Sequence, residues 1–375
     1  MNNEFCKRLG IDLPIFAFSH CRDVVAAVTR AGGLGVLGAA GFTPEQLKHE
    51  LDWIADHVGG KPFGIDVIMP KKFVDAGVGD MQAMIPAEHK AWVETVLVRY
   101  GIPPLPADAA QGSYGISGEQ IGWTHDICRR LLEVAFSYPG VKVMVNALGT
   151  PPADILAECR SRGILVGAMA GKVKHALAHK QGGLDFVVAQ GHEAGGHTGE
   201  ITTMVLVPQV VDAVAPLPVL AAGGIASGRQ IAAAMALGAQ GVWCGSVWLG
   251  TPESDVEPLP KQKLLAAGSG DTVRSRVISG KPARMLRSEW TDAWEAKDCP
   301  GFLPLPLQGL LVQDAHLRIA RAKRQELSFY PCGQSIGQCN DERDCRSVIN
   351  DMMNEYVDTV ERLAGSLQDG GGEAA

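Results

Sequence analysis

Two glycine-rich segments carry the residue types that could do chemistry. The first, residues 190–199, reads QGHEAGGHTG and sets two histidines among four glycines. Glycines allow the backbone to lie flat against a planar ligand, and a histidine at this place offers a proton-accepting nitrogen near neutral pH. The pattern predicts acid–base chemistry by His197 beside a flat molecule. The alternative is a plain glycine turn with a solvated histidine.

The two histidines of this segment also suggest a zinc motif. In the HExxH motif both histidines lie on one face of a helix. Here four residues separate His192 from His197, and glycines occupy positions 195 and 196, where the helix would have to run. We therefore predict no metal site.

The second segment, residues 220–227, reads LAAGGIAS and is followed by WCGS at residues 243–246. Gly223, Gly224 and Gly245 would let backbone amides approach an anion, and Ser246 would donate its hydroxyl, which is how barrels commonly hold phosphate. A tight turn without a ligand is the alternative. Taken together, the two segments predict a phosphorylated planar cofactor such as FMN, although a phosphorylated substrate without a cofactor would suit the second segment equally well.

These segments need a scaffold that brings them together, and the hydrophobic pattern supplies one. Eight apolar runs alternate with amphipathic segments, at residues 13–18, 33–37, 63–68, 141–145, 164–168, 186–189, 219–221 and 242–247. This alternation predicts a (β/α)₈ TIM barrel. The chemical segments follow the sixth, seventh and eighth runs, so they would share the C-terminal rim of the barrel, where barrel enzymes have their active sites.

A doubly wound open sheet is the competing fold, because Gly33, Gly35 and Gly38 match the dinucleotide-binding pattern G-x-G-x-x-G. That pattern requires a strand before the glycines and a helix after them. Here a helix candidate precedes the glycines and the glycines lie within an apolar run. We therefore reject the dinucleotide interpretation.

The predicted domain organisation is a barrel with two inserted, mainly helical lid segments. Trp290 and Trp294, in the second lid, would wall the substrate cavity or pack in a core. The predicted parts are a core of residues 1–70 and 119–250, lids at 71–118 and 251–345, a helix at 346–366 that packs back on the barrel, and a flexible tail at 367–375.

Composition excludes several classes of protein. The chain has 375 residues, 34 basic against 41 acidic (net charge −7), and 46% hydrophobic residues, which excludes a disordered chain and argues against a nucleic-acid or membrane partner. Nine scattered cysteines without a CxxC pair, and no signal peptide, predict a reduced cytoplasmic protein. A small molecule is the expected partner, and the oligomeric state, including a homo-oligomer, stays open.

These motifs together resemble a known family, the nitronate monooxygenases. The resemblance covers about residues 10–255 and is most specific in the Glu-Ala-Gly-Gly-His segment ending at His197 followed by Ala-Gly-Gly-Ile at 222–225, with a weaker echo at Gly333 and Gln334. The matching segments are residues 13–15, 31–35, 61–64, 190–197, 222–225, 245–246 and 251–254.

The resemblance implies an FMN-dependent barrel enzyme and assigns roles to several residues. His197 would be the catalytic base, or would orient an anionic nitronate, while FMN accepts the electron and O₂ reacts afterwards. The implied cofactor contacts are Ala17, Phe18, Asp66, Gln190, Gly191, Gly195, Gly196, Gly223, Gly224, Gly245 and Ser246.

The chain departs from the family pattern in two places. Ala17 and Phe18 stand near a position where the family commonly has methionine, and Asp66 stands where it commonly has asparagine. An acidic group near the flavin would disfavour an anionic ring or substrate unless it is paired. His20, on the same rim, would pair with Asp66, contact the substrate, or be an ordinary rim residue.

The predicted function is oxidation of alkyl nitronates, and by extension nitroalkanes, with O₂. Two alternatives stay open: an NAD(P)H-dependent flavin reductase for quinones or enoyl thioesters on the same barrel, and a flavin-free barrel that binds a phosphorylated metabolite.

Overall fold

The structure is a computed structural model that describes residues 3–69, 78–106 and 125–369. Both ends of the predicted first lid, and residues 370–375 of the predicted tail, therefore lie outside the described residues. All nine cysteines lie in the described ranges and are free thiols.

Eight parallel strands close into a barrel in the order β1-β2-β3-β4-β5-β6-β8-β9, and β9 pairs with β1. The predicted TIM barrel is thus confirmed, and each apolar run overlaps one strand. The strands are β1 (Ile15–Ser19), β2 (Leu34–Gly38), β3 (Phe63–Val67), β4 (Val141–Asn146), β5 (Leu165–Ala170), β6 (Phe186–Gln190), β8 (Val219–Ala222) and β9 (Gly241–Cys244).

Helices follow the strands and cover the barrel, and their ends carry the expected signals. Thr43 and Gln46 form a reciprocal capping box, and the Ser227 side chain accepts a hydrogen bond from the Gln230 amide. The described helices are α1 (Glu4–Leu9), α2 (Arg22–Arg30), α3 (Pro44–His57), α4 (Val78–Ala83), α5 (Ala87–Arg99), α6 (His125–Phe136), α7 (Ala153–Ser161), α8 (Val173–Gln181), α9 (Thr203–Val214), α10 (Gly228–Ala236), α11 (Pro258–Leu265), α12 (Glu289–Ala293), α13 (Leu307–Ala322) and α14 (Cys345–Asp369), with 3₁₀ turns at Ser246–Trp248, Ser269–Asp271 and Gln334–Gln338.

Side chains alternate between the inside of the barrel and the helix layer along each strand. On β1, Phe16 and Phe18 belong to the inner cluster, whereas Ile15 and Ala17 pack against helices. Helix α1 closes the N-terminal end of the barrel, because Phe5 stacks on Phe16 with ring centroids 5.9 Å apart. The C-terminal end is therefore the end of the barrel that is available for an active site.

The two predicted lids pack against each other and share one hydrophobic core. Trp92 and Leu97 of α5 lie in one cluster with Trp290, Trp294 and Leu311. The tryptophans at 290 and 294 therefore pack in a core, the second of the two alternatives considered for them. The second lid also contains a β-hairpin, which the sequence did not reveal.

This hairpin consists of β10 (Thr272–Ser275) and β11 (Ala283–Leu286), and a two-residue strand β7 (Gly196–His197) joins it. His197 is the register partner of Ala283, and Gly196 is the partner of Arg284. The glycine segment after β6 is thereby attached to the second lid, which places His197 on a strand instead of in a free loop.

Helix α14 returns to the barrel and packs on α10. The contact is close because Gly228 has no side chain: a Cβ there would lie 2.1 Å from the Met352 carbonyl oxygen. The predicted C-terminal helix is therefore present, and it continues to Asp369. Within the described ranges, no helix is both long and apolar enough to cross a bilayer.

Candidate active site

His197 lies beside the C-terminal rim of the barrel, where the segment after β6 meets the hairpin of the second lid. Its Nε2 is 2.6 Å from Oγ of Ser279, in the loop that joins β10 to β11. The Ser279 side chain is buried, and its oxygen also accepts the backbone N–H of Lys281. One ring nitrogen of His197 is thus held by a fixed partner, and Nδ1 is left for a ligand.

The surroundings of His197 favour its neutral form. The side chain keeps an exposed surface, yet protein surrounds it closely enough that desolvation lowers its pKa, and the charge of Lys281 lowers the pKa further. A neutral imidazole that keeps an accessible surface has the property required of a general base.

The glycines of the segment after β6 permit close backbone packing. A Cβ at Gly191 would lie 2.0 Å from the Thr203 hydroxyl, and one at Gly195 would lie 2.7 Å from the Cys332 carbonyl carbon. Glu193 has a structural task here, because its carboxylate accepts the backbone N–H and the hydroxyl of Thr203 at the start of α9. This segment is therefore rigidly held, which suits a positioned histidine.

The expected phosphate residues lie together at the ends of β8 and β9. Gly223 and Gly224 have φ of +101° and +73°, so their backbone conformation by itself requires glycine. A Cβ at Gly245 would meet nothing within 4 Å. The Ser246 Oγ accepts the backbone N–H of Gly333 at 2.7 Å, and its hydroxyl hydrogen is still available to a ligand.

A cavity of about 280 Å³ adjoins this group of residues. Gly223 and Gly224 line it together with polar side chains from the 3₁₀ turn, among them Gln334, Ser335 and Gln338. The weak sequence echo at Gly333 and Gln334 thus lies beside the predicted phosphate residues. Apolar side chains of α9 and α10 form much of the remaining wall, and neither Gly245 nor Ser246 lines this cavity.

Aromatic side chains form the interior of the barrel below the rim. Phe18 points inward and stacks on Trp243 of β9, with ring centroids 6.0 Å apart and an interplanar angle of 25°. Gln190 ends β6 on the inward-facing side. Ala17 points the other way, into the helix layer, so its side chain cannot contact a ligand in the mouth of the barrel.

Asp66 occupies the inward side of β3 near its C-terminal end and is 3% exposed. Its Oδ2 is buried and has no hydrogen-bond partner among the described residues. Burial without a nearby cation raises its pKa well above the usual range. This environment favours the protonated, neutral form of the Asp66 carboxyl group over the carboxylate.

His20 lies over Gly38 on the neighbouring strand. Its Nδ1 is 2.9 Å from the Gly38 carbonyl oxygen, and its ring contacts Phe18 edge-on. Desolvation lowers the pKa of His20, while the hydrogen bond to Gly38 and the charge of Asp255 partly oppose this effect. No hydrogen bond or ion pair joins His20 to Asp66 among the described residues, so the structure does not show the pairing that was one of the alternatives for His20.

Sequence reasoning missed three residues of this site: Ser279, Lys281 and Trp243. The first two come from the lid hairpin and reach His197 only through the β7–β11 pairing. Trp243 precedes the predicted phosphate residues directly, and its inward position on β9 was a signal that could have found it. Over residues 3–69, 78–106 and 125–369, no three His, Cys, Asp or Glu side chains come together as a metal site.

Comparison with known proteins agrees with this architecture. A family model described as nitronate monooxygenase matches residues 14–355. A provisionally assigned monooxygenase of Mycobacterium tuberculosis is 50% identical over 98% of this chain and 100% of its own length. A Staphylococcus haemolyticus protein assigned to the nitronate monooxygenases is 30% identical over 96% of this chain and 98% of its own length.

Solved structures also resemble this chain over nearly its whole length. Nitroalkane oxidase from Streptomyces ansochromogenes superposes with a TM-score of 0.78 at 26% identity, covering 96% of this chain and 100% of that one. FabK from Thermotoga maritima has a TM-score of 0.74 at 28% identity, covering 98% and 99%. The resemblance inferred from the motifs is thereby confirmed, and the chain belongs to the nitronate monooxygenase family of oxidoreductases.

Proposed function

We propose that the protein is an FMN-dependent nitronate monooxygenase, which oxidises alkyl nitronates, and nitroalkanes after deprotonation, with O₂. One observation carries the proposal: a desolvated imidazole, His197, is held by Ser279 beside the rim of a barrel of this family. Family membership supports the reaction class, and the geometry of His197 supports the proton transfer that a nitroalkane requires.

The residues at the rim fit FMN. Gly223, Gly224, Gly245 and Ser246 would hold the phosphate, since the first two have backbone conformations that require glycine, the Cβ direction of Gly245 is open, and Ser246 has a hydroxyl group. Gln190, Gly191, Gly195, Gly196, Phe18 and Asp66 are the proposed contacts of the ring system. We omit the Ala17 side chain, because it faces the helix layer. FMN, when bound, supplies the electron acceptance that these side chains lack.

His197 would take the proton from the carbon beside the nitro group. The proposed tautomer is the one in which Nε2–H donates to Ser279 Oγ, because it leaves the lone pair on Nδ1 to take the proton. Because burial and Lys281 keep the imidazole neutral, the base is ready at neutral pH. A placed base of this kind contributes about 10²–10⁴ in rate. With a nitronate, which has already lost the proton, the same side chain would orient the anion.

The test combines an absorption spectrum with a substrate pair. The purified protein is mixed with FMN, gel-filtered, and assayed for O₂ consumption with a nitroalkane and with its nitronate. We expect a retained flavin spectrum, and we expect His197→Ala to abolish activity on the nitroalkane while reducing nitronate oxidation less. His175→Ala, an exposed histidine on α8, is the control. Full activity of His197→Ala on the nitroalkane would refute the assigned role.

An NAD(P)H-dependent flavin reductase is the second candidate, and one observation favours it. Residues 272–284 of the lid hairpin contain four cations, Arg274, Arg276, Lys281 and Arg284, and no acidic residue. Arg276 and Lys281 are exposed, whereas Arg274 is half-buried and Arg284 is buried with its Nε donating to the His192 carbonyl oxygen. The two exposed cations suit a phosphate-bearing nucleotide. Anaerobic mixing decides: bleaching of the flavin by NADH or NADPH favours the reductase, and bleaching by propionate 3-nitronate alone favours the monooxygenase. A colourless protein that retains no FMN would instead indicate a flavin-free phosphometabolite barrel.

A further inference from the structure

Asp66 and His20 form a second cluster of titratable groups in the mouth of the barrel, and the proton transfer assigned to His197 does not use them. Asp66 is the register partner of Gly38, and both residues point inward at the same level. A Cβ at Gly38 would lie 2.6 Å from Cε1 of His20, so the His20 ring fills the space of the missing side chain. Neighbouring strands are about 4.8 Å apart, so the space that the His20 ring fills adjoins the position of Asp66 on the next strand.

The hydrogen bonds determine which atoms of this pair can act. The Gly38 carbonyl can only accept, so His20 must donate from Nδ1, and neutral His20 keeps a lone pair at Nε2. Asp66 receives no donor at Oδ2 and has no cation within ion-pair distance among the described residues. A carboxylate so placed would leave a charge without compensation, so the proton stays on the acid.

The groups around Asp66 and His20 do not supply the positive charge that would stabilise an Asp66 carboxylate. Asp255, which acts on His20 through space, is itself acidic, and the neighbouring Cys21 thiol has a pKa raised mainly by burial. The strands on either side of Asp66 contribute Gly38 and Val145 at its level. The mouth of the barrel thus presents a hydrogen-bond donor beside a hydrogen-bond acceptor, without net charge.

We propose that Asp66 acts as a protonated carboxylic acid that donates a hydrogen bond to a carbonyl oxygen or ring nitrogen of the planar ligand, with neutral His20 beside it as the complementary acceptor. That the ligand is FMN rests on the function proposed above. A protonated carboxyl group offers one donor and one acceptor, as a side-chain amide does. The aspartate at a position where the family commonly has asparagine would then preserve the hydrogen-bonding pattern.

The proposal makes binding depend on pH in a definite direction. Below the pKa of Asp66 the donor is present and affinity is constant. Above it, FMN binding requires Asp66 to take up a proton, so the Kd for FMN should rise by about tenfold per pH unit. Asp66→Asn keeps a donor at every pH, so its Kd should stay flat over the same range.

Two measurements test this. Infrared difference spectra of the cofactor-free protein, wild type minus Asp66→Asn, should show the carbonyl stretch of a protonated carboxylic acid at neutral pH, shifted in D₂O. FMN titrations followed by fluorescence quenching, from about pH 6 to about pH 10, cover the range of known buried acids. Asp56→Asn, which changes an exposed aspartate of α3, is the matched control and should behave as wild type.

Each outcome bears on a separate claim. A carboxylate band in place of the acid band at neutral pH would overturn the proposal, as would FMN affinities of wild type and Asp66→Asn that change in parallel with pH. If the wild type bound no FMN at any pH, the proposed function would fail, while the infrared band would still decide the protonation state. The pH series on the wild type needs no variant, so misfolding of Asp66→Asn would not remove the test.

Discussion

Replacing Ser279 by alanine tests how His197 is held. The change removes the oxygen 2.6 Å from Nε2 and leaves that nitrogen without its buried partner. A net hydrogen bond contributes about 0.5–1.5 kcal/mol. At about 1.36 kcal/mol per factor of ten in rate, kcat/KM for a nitroalkane should fall by about two- to thirteen-fold. The loss is small because the base itself remains.

The same substitution should move the pH profile. The Ser279 oxygen stabilises the protonated imidazole more than the neutral one, because charge strengthens the Nε2–H···O bond. Without it, the pKa of His197 falls further below its ordinary value. A base must be neutral, so the acidic limb of kcat/KM should move to lower pH in Ser279→Ala, even though the plateau is reduced.

The assay compares a nitroalkane with its pre-formed nitronate across a pH series. Only the nitroalkane needs proton abstraction, so only its kcat/KM should show both the loss and the shift. Ser275→Ala is the control, because Ser275 is a buried serine of the same hairpin whose oxygen accepts only the Val277 amide among the described contacts. Equal losses on both substrates, or an acidic limb that moves to higher pH, would refute the reasoning.

Three further predictions concern charge, stability and packing. Lys281→Met removes an exposed positive charge that lowers the pKa of His197. The acidic limb of kcat/KM for a nitroalkane should therefore move to higher pH by about 0.1–0.7 unit, the equivalent of about 0.2–1 kcal/mol. A limb that does not move would contradict this. Asp66 has a pKa raised above its unfolded value, so its contribution to stability is present below the unfolded pKa and is lost as pH rises towards the folded one. The free energy of unfolding of Asp66→Asn, measured with urea, should therefore increase relative to that of the wild type between about pH 5 and about pH 8. A difference that does not change with pH would argue against a buried acid. Gly228→Ala places a Cβ 2.1 Å from a carbonyl oxygen of α14 and should destabilise the protein by about 1–3 kcal/mol in thermal unfolding. Gly270→Ala is the control, because a Cβ there would meet nothing within 4 Å. Equal melting temperatures of the two variants would contradict the close packing of α14.

The barrel was predictable because each strand is encoded by a local sequence pattern. Eight short apolar runs separated by capped helices specify eight parallel strands without any long-range information. The eighth run was overextended: the chain leaves β9 at Cys244 and turns into a 3₁₀ helix at Ser246–Trp248, although both segments are apolar. Hydrophobicity marks what is buried, and it cannot show where a strand gives way to a buried turn.

The site was only half predictable. His197 and the glycines at 223 and 224 stand in glycine-rich segments directly after barrel strands, where ligands bind in this fold, so sequence analysis located them. Ser279 was missed, because it is 82 residues from His197 and reaches it only through the pairing of β7 with β11. Ala17 was predicted as a cofactor contact, and the strand periodicity that sends Phe18 inward turns the Ala17 side chain outward, so only its backbone faces the mouth of the barrel.

The sequence by itself determined the barrel, and it located at the barrel rim the glycine segments and the histidine that we propose as base, because these depend on local periodicity and on residue types that few folds place together. Tertiary structure decided the charge states. Whether Asp66 is a carboxylate or an acid, and whether His20 and His197 are neutral, depends on how much water and which charges surround them. Those surroundings come from strands and lids far apart in the chain, so desolvation can be read only from the assembled fold.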